Sequence, residues 1–319
     1  MTFFGLSVFH PTGGPVRIKS FAGPAVRRIV STALRHRVVS FVFSRKGSSM
    51  PNTTLTEHAA GIAAAGRLLS TAQRILFITG AGLSADSGLP TYRGVGGLYE
   101  DAHTDIGLPI EQALSGAMFE QRPDITWRYL SQIESACRDA RPNAGHHAIA
   151  RLEALHGGVT VLTQNVDGFH LAAGSRDVIE MHGTLRRLRC VDCGRSRQVD
   201  NYAGLSIPPE CPYCGGLLRP DVVLFGESLP DQAMHRFEQV LAAGPDLILS
   251  VGTGSAFPYI AGPVIWAVEN GIPTIEINPG HSPLSEKVSI RLRMRAAEAL
   301  PAMLDAAGYS LDSGLDTRA

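Results

Sequence analysis

The sequence has no excess of charge of either sign. Its 319 residues contain 29 Lys and Arg against 29 Asp and Glu, and the pI is about 7.2. Proteins that bind nucleic acid usually carry a basic surplus, so this balance disfavours that class of partner. Long hydrophobic runs are also absent, and no run reaches the length of a membrane-spanning helix. The chain is long enough for one substantial core and a small insertion.

Cysteine is scarce, but its spacing is informative. Four of the five cysteines form two pairs, C-V-D-C and C-P-Y-C, separated by 17 residues: Cys190, Cys193, Cys211 and Cys214. Disulfides are the alternative, but paired CxxC motifs are typical of a zinc site with four thiolate ligands in a reducing compartment. Such a site is closed, so we expect one structural Zn²⁺. The fifth, Cys137, lies in a predicted amphipathic helix and is expected to be an inert, half-buried thiol.

Acidic residues are missing from the first fifty positions, which contain eight Lys or Arg. An acid-free start with Arg and Ser resembles a mitochondrial transit peptide. Two other interpretations stay open: a disordered basic leader, and a native start at Met50, which directly precedes the first well-formed helix. In each case we expect residues 1–53 to lie outside the folded core, and the tail 309–319 to be loose.

Apolar runs that end in glycine or a polar residue alternate with helical stretches in most of the chain. The predicted strands are 74–80, 159–163, 178–181, 247–252 and 274–278. The predicted helices are 57–72, 144–155, 231–243, 259–270 and 296–307. This alternation predicts an α/β fold with a doubly wound parallel, Rossmann-like sheet.

Two segments interrupt the alternation. Residues 104–141 contain helices but no clear strand, and residues 188–218 contain the CxxC pairs. We therefore expect a small inserted zinc-binding and helical domain formed by these two segments. The nucleotide-binding domain would then comprise 54–103, 142–187 and 219–308.

Three polar motifs follow predicted strands, where open α/β sheets place their ligands. Gly80-Ala81-Gly82 suits a pyrophosphate at a helix start, but Ala85 replaces the third glycine of GxGxxG, and a plain tight turn is equally compatible. The T-Q-N-V-D motif at 163–167 could bind a ligand or cap the next helix. His182 could be structural, a zinc ligand or a general base. His146, His147 and His170 resemble surface or helix residues.

Taken together and in order, these motifs resemble those of the sirtuins, the NAD-dependent protein deacylases. The similarity comprises G-A-G-L-S-A-D-S-G-L-P-T-Y-R at 80–93, T-Q-N-V-D at 163–167, M-H-G at 181–183, the CxxC pairs, R-P-D-V-V-L-F-G-E at 219–227 and G-T-G at 252–254. It covers roughly residues 57–304. The family more often has Gly-Thr-Ser where this chain has Gly252-Thr253-Gly254.

The resemblance implies a site for NAD and for an acyl-lysine peptide. His182 would be the base that deprotonates a ribose hydroxyl after nicotinamide departs, and Asn165 would orient NAD and a reactive water. The implied NAD contacts are Gly80, Ala81, Gly82, Asp86, Pro90, Thr91, Tyr92, Arg93, Gln164, Asn165, Asp167, Gly252, Thr253, Gly254, Asn278, Pro279 and Gly280. The implied substrate contacts are Val223, whose carbonyl would bind the lysine amide, Phe225 as an apolar wall, and Gly226.

A second departure concerns the acyl group. Sirtuins that remove acidic acyl groups carry Tyr-x-x-Arg on a helix, but the matching positions here are Leu130 and Ile133, or Tyr129 and Gln132 after a shift of one. Without the Arg, a bidentate carboxylate clamp is missing, so we expect neutral acyl groups, acetyl first.

The predicted function is therefore NAD-dependent protein-lysine deacylation, giving free lysine, nicotinamide and O-acyl-ADP-ribose. Protein mono-ADP-ribosylation in the same pocket is the alternative. A binding module that only senses NAD and a hydride-transferring dehydrogenase are disfavoured, the first by the intact His182 and Asn165 and the second by the absent GxGxxG. Expected partners are acyl-lysine proteins, with no nucleic acid and no membrane. The expected location is the cytoplasm, or mitochondria if the basic start is a transit peptide.

Overall fold

The computed structural model describes residues 7–9, 15–17, 53–90 and 104–309. The strands are β1 (Ser7–Phe9), β2 (Pro15–Arg17), β3 (Ile75–Thr79), β4 (Val159–Thr163), β5 (Val178–Glu180), β6 (Gly183–Cys190), β7 (Ser196–Gln198), β8 (Leu218–Val222), β9 (Leu247–Val251), β10 (Thr274–Ile277) and β11 (Ile290–Leu292). The helices are α1 (Thr53–Thr71), α2 (Ala81–Ser84), α3 (Ile110–Ala113), α4 (Gly116–Gln121), α5 (Pro123–Asp139), α6 (Ala144–His156), α7 (Phe169–Ala172), α8 (Asp231–Ala243), α9 (Pro258–Glu269) and α10 (Ala296–Ala306).

The central sheet has six strands in the order β11-β10-β9-β3-β4-β5, and every pairing is parallel. The chain moves outward from β3 through β4 to β5, then restarts at β9 on the other side of β3. The strand order therefore reverses between β3 and β9, which is where doubly wound sheets bind ligands at their carboxyl ends. The predicted α/β parallel fold is confirmed.

The side chains of β3 alternate between two apolar cores. Ile75 and Phe77 pack with α1, α6 and α10 on one face, while Leu76 and Ile78 pack with α8 and α9 on the other. Because both faces are covered, all five residues of β3 are buried. This explains why its sequence is a continuous apolar run rather than an alternation of apolar and polar residues.

A second, smaller sheet is antiparallel and consists of β7, β6 and β8 in that order. It packs with α3, α4 and α5 around a third apolar core that includes Trp127 and Leu188. The indole Nε1–H of Trp127 donates to the carbonyl of Leu218 at 2.9 Å, and the ring meets Tyr202 edge-on. One helix and one strand of this region are thus joined by a buried hydrogen bond.

The basic segment at the start contributes only β1 and β2 to the described residues. These two short strands pair with each other and form a separate two-stranded sheet. The rest of that segment and the tail from residue 310 lie outside the described residues, as do Thr91, Tyr92 and Arg93. Within the described part of the chain, no helix is both long and apolar enough to cross a membrane.

Candidate active site

The loop after β3 and the loop after β9 lie in close contact at the reversal of strand order. The amide of Gly80 donates to Val251 O at 3.0 Å, and that of Gly82 donates to Gly252 O at 2.8 Å. A Cβ on Gly82 would lie 2.8 Å from Gly252 Cα, and Gly252 itself has φ +59°. Glycine is therefore required for the two loops to approach each other. The amides of Gly80 and Gly82 already donate to carbonyls of the protein. A phosphate that binds here would therefore accept hydrogen bonds from other groups at this end of the sheet.

Asn165 and Asp167 are buried just beyond β4 and are joined through Ser84. Asn165 Nδ2 donates to Gly80 O and to Ser84 Oγ, both at 3.1 Å. Ser84 Oγ donates to Asp167 Oδ2 at 2.8 Å, and the amide of Phe169 donates to Asp167 Oδ1 at 2.9 Å. Burial raises the pKa of Asp167, opposed by these hydrogen bonds. Asp167 thus bonds the first amide of α7 from the position before the N-cap, Gly168, while Asn165 links two strand-end loops.

Gln164 and Asn278 extend this polar edge across β9 towards β10. Gln164 Nε2 donates to Thr253 Oγ1 at 2.9 Å, and Asn278 Nδ2 donates to Thr253 O at 3.1 Å. The amide of Gly280 in turn donates to Asn278 Oδ1 at 2.9 Å. Around Gly254, a Cβ would have no heavy atom within 4 Å, so this loop is open to a ligand. Polar atoms from the ends of β4, β9 and β10 therefore converge on one open edge.

Asp86 has a different environment from the other predicted NAD contacts. Its carboxylate accepts from Arg295 Nη1 at 2.9 Å and from the amide of Ala297 at 3.3 Å. It therefore attaches the loop after α2 to the start of α10, across 209 residues of sequence. Sequence reasoning could not have found this, because Arg295 has no motif around it.

His182 follows β5 and lies beside the polar edge. Its Nδ1 is 2.9 Å from the carbonyl oxygen of Gln164, and its Nε2 is 2.6 Å from Tyr259 Oη. A carbonyl can only accept, so Nδ1 carries the proton of the neutral ring and Nε2 carries the lone pair. Burial lowers the pKa of His182, and the Gln164 carbonyl opposes that shift. The imidazole is thus neutral near pH 7 and has a defined tautomer, as a general base requires. Tyr259 was not singled out by the sequence.

The other histidines divide into two groups. His147 is exposed, as expected. His146 and His170 lie in helices α6 and α7, which agrees with the expectation of surface or helix residues, but both are buried, with ring centroids 5.1 Å apart. His146 Nδ1 accepts from the amide of Asn143 at the start of α6, and His170 Nε2 bonds Thr79 Oγ1 of β3, 91 residues away, at 3.0 Å. Burial lowers the pKa of His146 to about 3 and that of His170 to about 4.

The segment after β8 passes directly beside His182. The amide of Val223 donates to His182 O at 2.9 Å, and the amide of Phe225 donates to Leu114 O at 3.0 Å. Gly226 follows with φ +85°, and Arg219 fixes the end of the segment through a bidentate ion pair with Glu227, whose closer contact is 2.6 Å. Val223 and Phe225 are partly exposed. This segment, which continues the chain from β8, therefore borders the histidine and is anchored by the Arg219–Glu227 ion pair.

A pocket lies between the end of β4 and helix α5. It is lined by Asn165 and Asp167 at one end and by Tyr129, Gln132 and Ile133 at the other. The sequence allowed two alignments of α5 with the Tyr-x-x-Arg motif, Leu130 with Ile133 or Tyr129 with Gln132. Each alignment places at least one residue in this pocket, and neither places an Arg there. Cys137 also lines it and is buried rather than half-buried as expected, and burial raises the pKa of this thiol to about 12, so the thiol stays protonated near neutral pH.

The four cysteines of the CxxC pairs converge at the far end of the small sheet. Their sulfurs all lie within 4.8 Å of one another, with Cys190 and Cys214 at 3.5 Å and Cys193 and Cys211 at 3.8 Å. Ligands about 2.3 Å from zinc in a tetrahedron lie about 3.8 Å apart, so the cluster fits Zn²⁺. Backbone N–H groups lower the pKa of Cys190 and Cys211, whereas at Cys214 the Gly216 amide is outweighed by the sulfurs of Cys190 and Cys193, which raise the pKa of Cys214 to about 12. His182 is not a ligand, because four sulfurs already complete the site.

The fold and site define an α/β nucleotide-binding protein with an inserted zinc module. A family model described as "Sir2 family" matches residues 80–257. NAD-dependent protein deacylase 2 of Pseudomonas aeruginosa is 49% identical over 75% of this chain and 94% of its own length. The Pyrobaculum aerophilum protein of that name is 42% identical over 75% of this chain and 92% of its own length. The chain belongs to the Sir2 family.

Solved structures agree with this assignment. A Sir2 homolog–NAD complex superposes with a TM-score of 0.68 at 33% identity, covering 83% of this chain and 96% of the other. A Sir2–p53 peptide–NAD⁺ complex superposes with a TM-score of 0.65 at 28% identity, covering 76% and 96%. The predicted sirtuin resemblance is thereby confirmed.

Proposed function

We infer that this chain is an NAD-dependent protein deacylase that releases acyl groups from lysine side chains of proteins. The observation that carries this conclusion is the 49% identity to a relative of that name over 243 residues. The polar edge at the strand ends and the four clustered cysteines both lie within that family's fold. The relatives described above are named deacylases, which supports deacylation over the ADP-ribosyltransferase alternative.

The residues present fit NAD. The open edge around Gly254 and the chain of polar atoms through Gln164, Thr253 and Asn278 would hold its phosphates and adenosine half. Asn165 and Asp167 would border the nicotinamide half. When bound, NAD supplies a ribose carbon that accepts the acyl oxygen and a nicotinamide leaving group. The remaining implied contacts, Thr91, Tyr92 and Arg93, stay predictions because they lie outside the described residues.

His182 is the proposed base. Its Nδ1–H is held by the Gln164 carbonyl, so Nε2 has the lone pair that accepts a proton. Burial lowers its pKa, which keeps the ring unprotonated at neutral pH. A base in this state takes a proton from a ribose hydroxyl and commonly contributes about 10² to 10⁴ in rate.

The protein substrate would bind as an added strand against residues 223–226. The Phe225 carbonyl already accepts from the amide of Gly116 at 3.0 Å, and the Leu224 amide donates to Glu227 Oε2 at 2.8 Å, so a peptide would bond to other main-chain groups of this segment, the Val223 carbonyl among them. A peptide that adds to such an edge gains main-chain hydrogen bonds, with Phe225 as an apolar wall. Zn²⁺ would be structural, and four thiolates leave no open position for a catalytic water.

Acyl preference follows from the pocket beside α5. Tyr129, Gln132 and Ile133 carry no positive charge, and the nearby Arg128 forms an ion pair with Asp105 instead. A carboxylate at the end of an acyl chain would therefore lose its water without gaining a bidentate partner. Neutral acyl groups should be preferred.

The test is NAD-dependent nicotinamide release with acetyl-lysine and succinyl-lysine versions of one peptide, with products weighed by mass spectrometry. We expect O-acetyl-ADP-ribose, faster turnover of the acetyl peptide, and a fall of about 10² to 10⁴ in rate for His182→Gln. The matched control is His147→Gln, which replaces an exposed histidine and should keep wild-type activity. ADP-ribose attached to protein, or activity retained by His182→Gln, would contradict the proposal.

The same proposal places the protein in a reducing compartment such as the cytoplasm. A zinc site built from four thiolates requires cysteines that are not oxidised to disulfides. Fractionation of cells that express the full chain tests this location, and recovery with the mitochondrial fraction would favour the transit-peptide interpretation of the basic start.

A further inference from the structure

The proposed base has a tyrosine hydroxyl at the nitrogen it would use. Tyr259 Oη lies 2.6 Å from His182 Nε2, and the Gln164 carbonyl lies 2.9 Å from Nδ1. Because the carbonyl fixes the proton on Nδ1, the tyrosine must be the donor and Nε2 the acceptor. The lone pair of the base is therefore already engaged by Tyr259.

Two ring contacts and one hydrogen bond position Tyr259. It lies in the first turn of α9, and its ring stacks on Phe257 with centroids 5.4 Å apart and an interplanar angle of 17°. The same ring meets His182 edge-on at 6.1 Å and 78°. Burial raises the pKa of Tyr259, so the phenol keeps its proton near neutral pH. The side chain is thus a fixed, neutral hydroxyl beside the base.

A fixed donor on Nε2 leaves one path for a proton from a substrate hydroxyl. The imidazole nitrogen has a single lone pair in the ring plane, which the phenol occupies. The phenol oxygen, in contrast, still has an acceptor position while it donates. A substrate hydroxyl can therefore donate to Tyr259 Oη while Tyr259 donates to His182.

We propose that Tyr259 is the proton relay between the substrate hydroxyl and His182. In this step the O–H bond of the ribose hydroxyl breaks and its proton bonds to Tyr259 Oη. At the same time the phenolic O–H bond breaks and that proton bonds to His182 Nε2. The ribose oxygen keeps the electron pair, Tyr259 stays neutral, and His182 becomes the imidazolium. This inference rests on the proposed deacylase function.

The first test uses the protein without NAD. A hydrogen bond donated to Nε2 stabilises the neutral imidazole, so Tyr259→Phe should raise the pKa of His182 in an NMR titration of its ring nitrogens. Wild-type protein should show the proton on Nδ1. An unchanged or lowered pKa in Tyr259→Phe, or the opposite tautomer in the wild type, overturns the relay because the hydrogen bond would then be absent in solution.

The second test separates the relay from a structural role. Loss of nicotinamide precedes the proton transfer, so label exchange between free nicotinamide and NAD in the presence of acetylated peptide reports binding and bond cleavage alone. In Tyr259→Phe, we expect deacetylated product to form about 100-fold more slowly while exchange continues, since general-base steps contribute about 10² or more. The deciding quantity is the ratio of product formation to exchange, which should fall by about tenfold or more.

If the ratio of product formation to exchange falls by less than about tenfold in Tyr259→Phe, the proposal is overturned. If both rates fall together, Tyr259 serves folding or NAD binding, and if product forms faster, Tyr259 is a cap that must leave. The matched control is Tyr202→Phe, which removes another buried hydroxyl, one that donates to Leu185 O at 2.8 Å in the small core. It should keep the wild-type ratio. Failure of the deacylase function is distinguishable, because wild-type protein would then show neither exchange nor product with acylated peptides.

Discussion

Two strands of this protein, β9 and β7, are stabilised in opposite ways. All five residues of β9 (Leu247–Val251) are buried between two helical layers, whereas all three residues of β7 (Ser196–Gln198) are exposed. Exposure extends along the whole turn from Val191 to Gln198. The parallel sheet is therefore held by apolar burial, while the tip of the small sheet has little burial and depends on the cysteine cluster.

The two kinds of stabilisation meet in one strand. β6 begins at Gly183, directly after His182, and ends at Cys190, a proposed zinc ligand. Its eight residues span roughly 26 Å at the usual rise of a strand. β6 also pairs with β8, whose end leads to Val223. A metal bound by these cysteines would thus affect the position of both the proposed base and the proposed substrate segment.

Removal of the metal should have the largest effect. Chelation of zinc-loaded protein, or Cys211→Ser, should abolish deacylation because structural zinc contributes about 10 to 16 kcal/mol in small zinc-binding peptides. Hydrogen exchange should rise in β6, β7 and β8 while β3 and β9 stay protected. Atomic absorption measures whether zinc has been removed completely. Deacylation that survives its removal would show that the small sheet is stable without metal.

Two matched leucines should distinguish the two regions next. Leu249 of β9 and Leu188 of β6 are both fully buried. Each change to Ala should lower the free energy of unfolding by about 2 to 5 kcal/mol in zinc-loaded protein, measured by urea denaturation. After chelation, the cost of Leu249→Ala should remain and that of Leu188→Ala should largely disappear. Equal costs after chelation would mean that apolar packing alone holds the small sheet.

Acid should destabilise the parallel-sheet region through its buried histidines. The pKa values of His146 and His170 fall from 6.5 to about 3 and about 4 on folding, so the unfolded chain binds more protons below pH 6.5. Stability should therefore decrease as pH falls from 6.5 towards 4, by up to about 1.4 kcal/mol per pH unit for each histidine. His170→Gln cannot titrate and should flatten this dependence in urea denaturation series. The substitution leaves the zinc site unchanged. If the free energy of unfolding falls with pH at the same slope in the variant and the wild type, the acid lability comes from the metal site instead.

The sequence predicted the elements of the parallel sheet well because their signals are local. A run such as that of β3 is apolar throughout and ends in glycine, and the structure begins and ends the strand within a residue of the predicted limits. The CxxC spacing was likewise sufficient for the zinc site, because each pair forms its own tight turn. Helix α1 begins at Thr53 rather than 57, and the edge strand β11 (Ile290–Leu292) was not predicted, because its three residues form too short a run to give a pattern.

Side-chain partners at the site were harder to predict. The burial of His170 depends on Thr79, 91 residues away, and the tautomer of His182 depends on Gln164 and on Tyr259. Tyr259 lies in an apolar helix start that resembles ordinary core sequence. The role of Asp86 at α10 similarly required Arg295 to be brought from the far end of the chain.

The sequence by itself determined the α/β class, five of the six strands of the parallel sheet, the spacing of the four clustered cysteines and the motifs of the Sir2 family. These follow from hydrophobic period and from spacing over a few residues. Only the tertiary structure decided that the proposed base shares its lone pair with a tyrosine, and that one strand joins this base to the cysteine cluster. The physical reason is that such contacts depend on which strands lie side by side and how the helices pack across them, and this arrangement is fixed by the whole core rather than by any local segment.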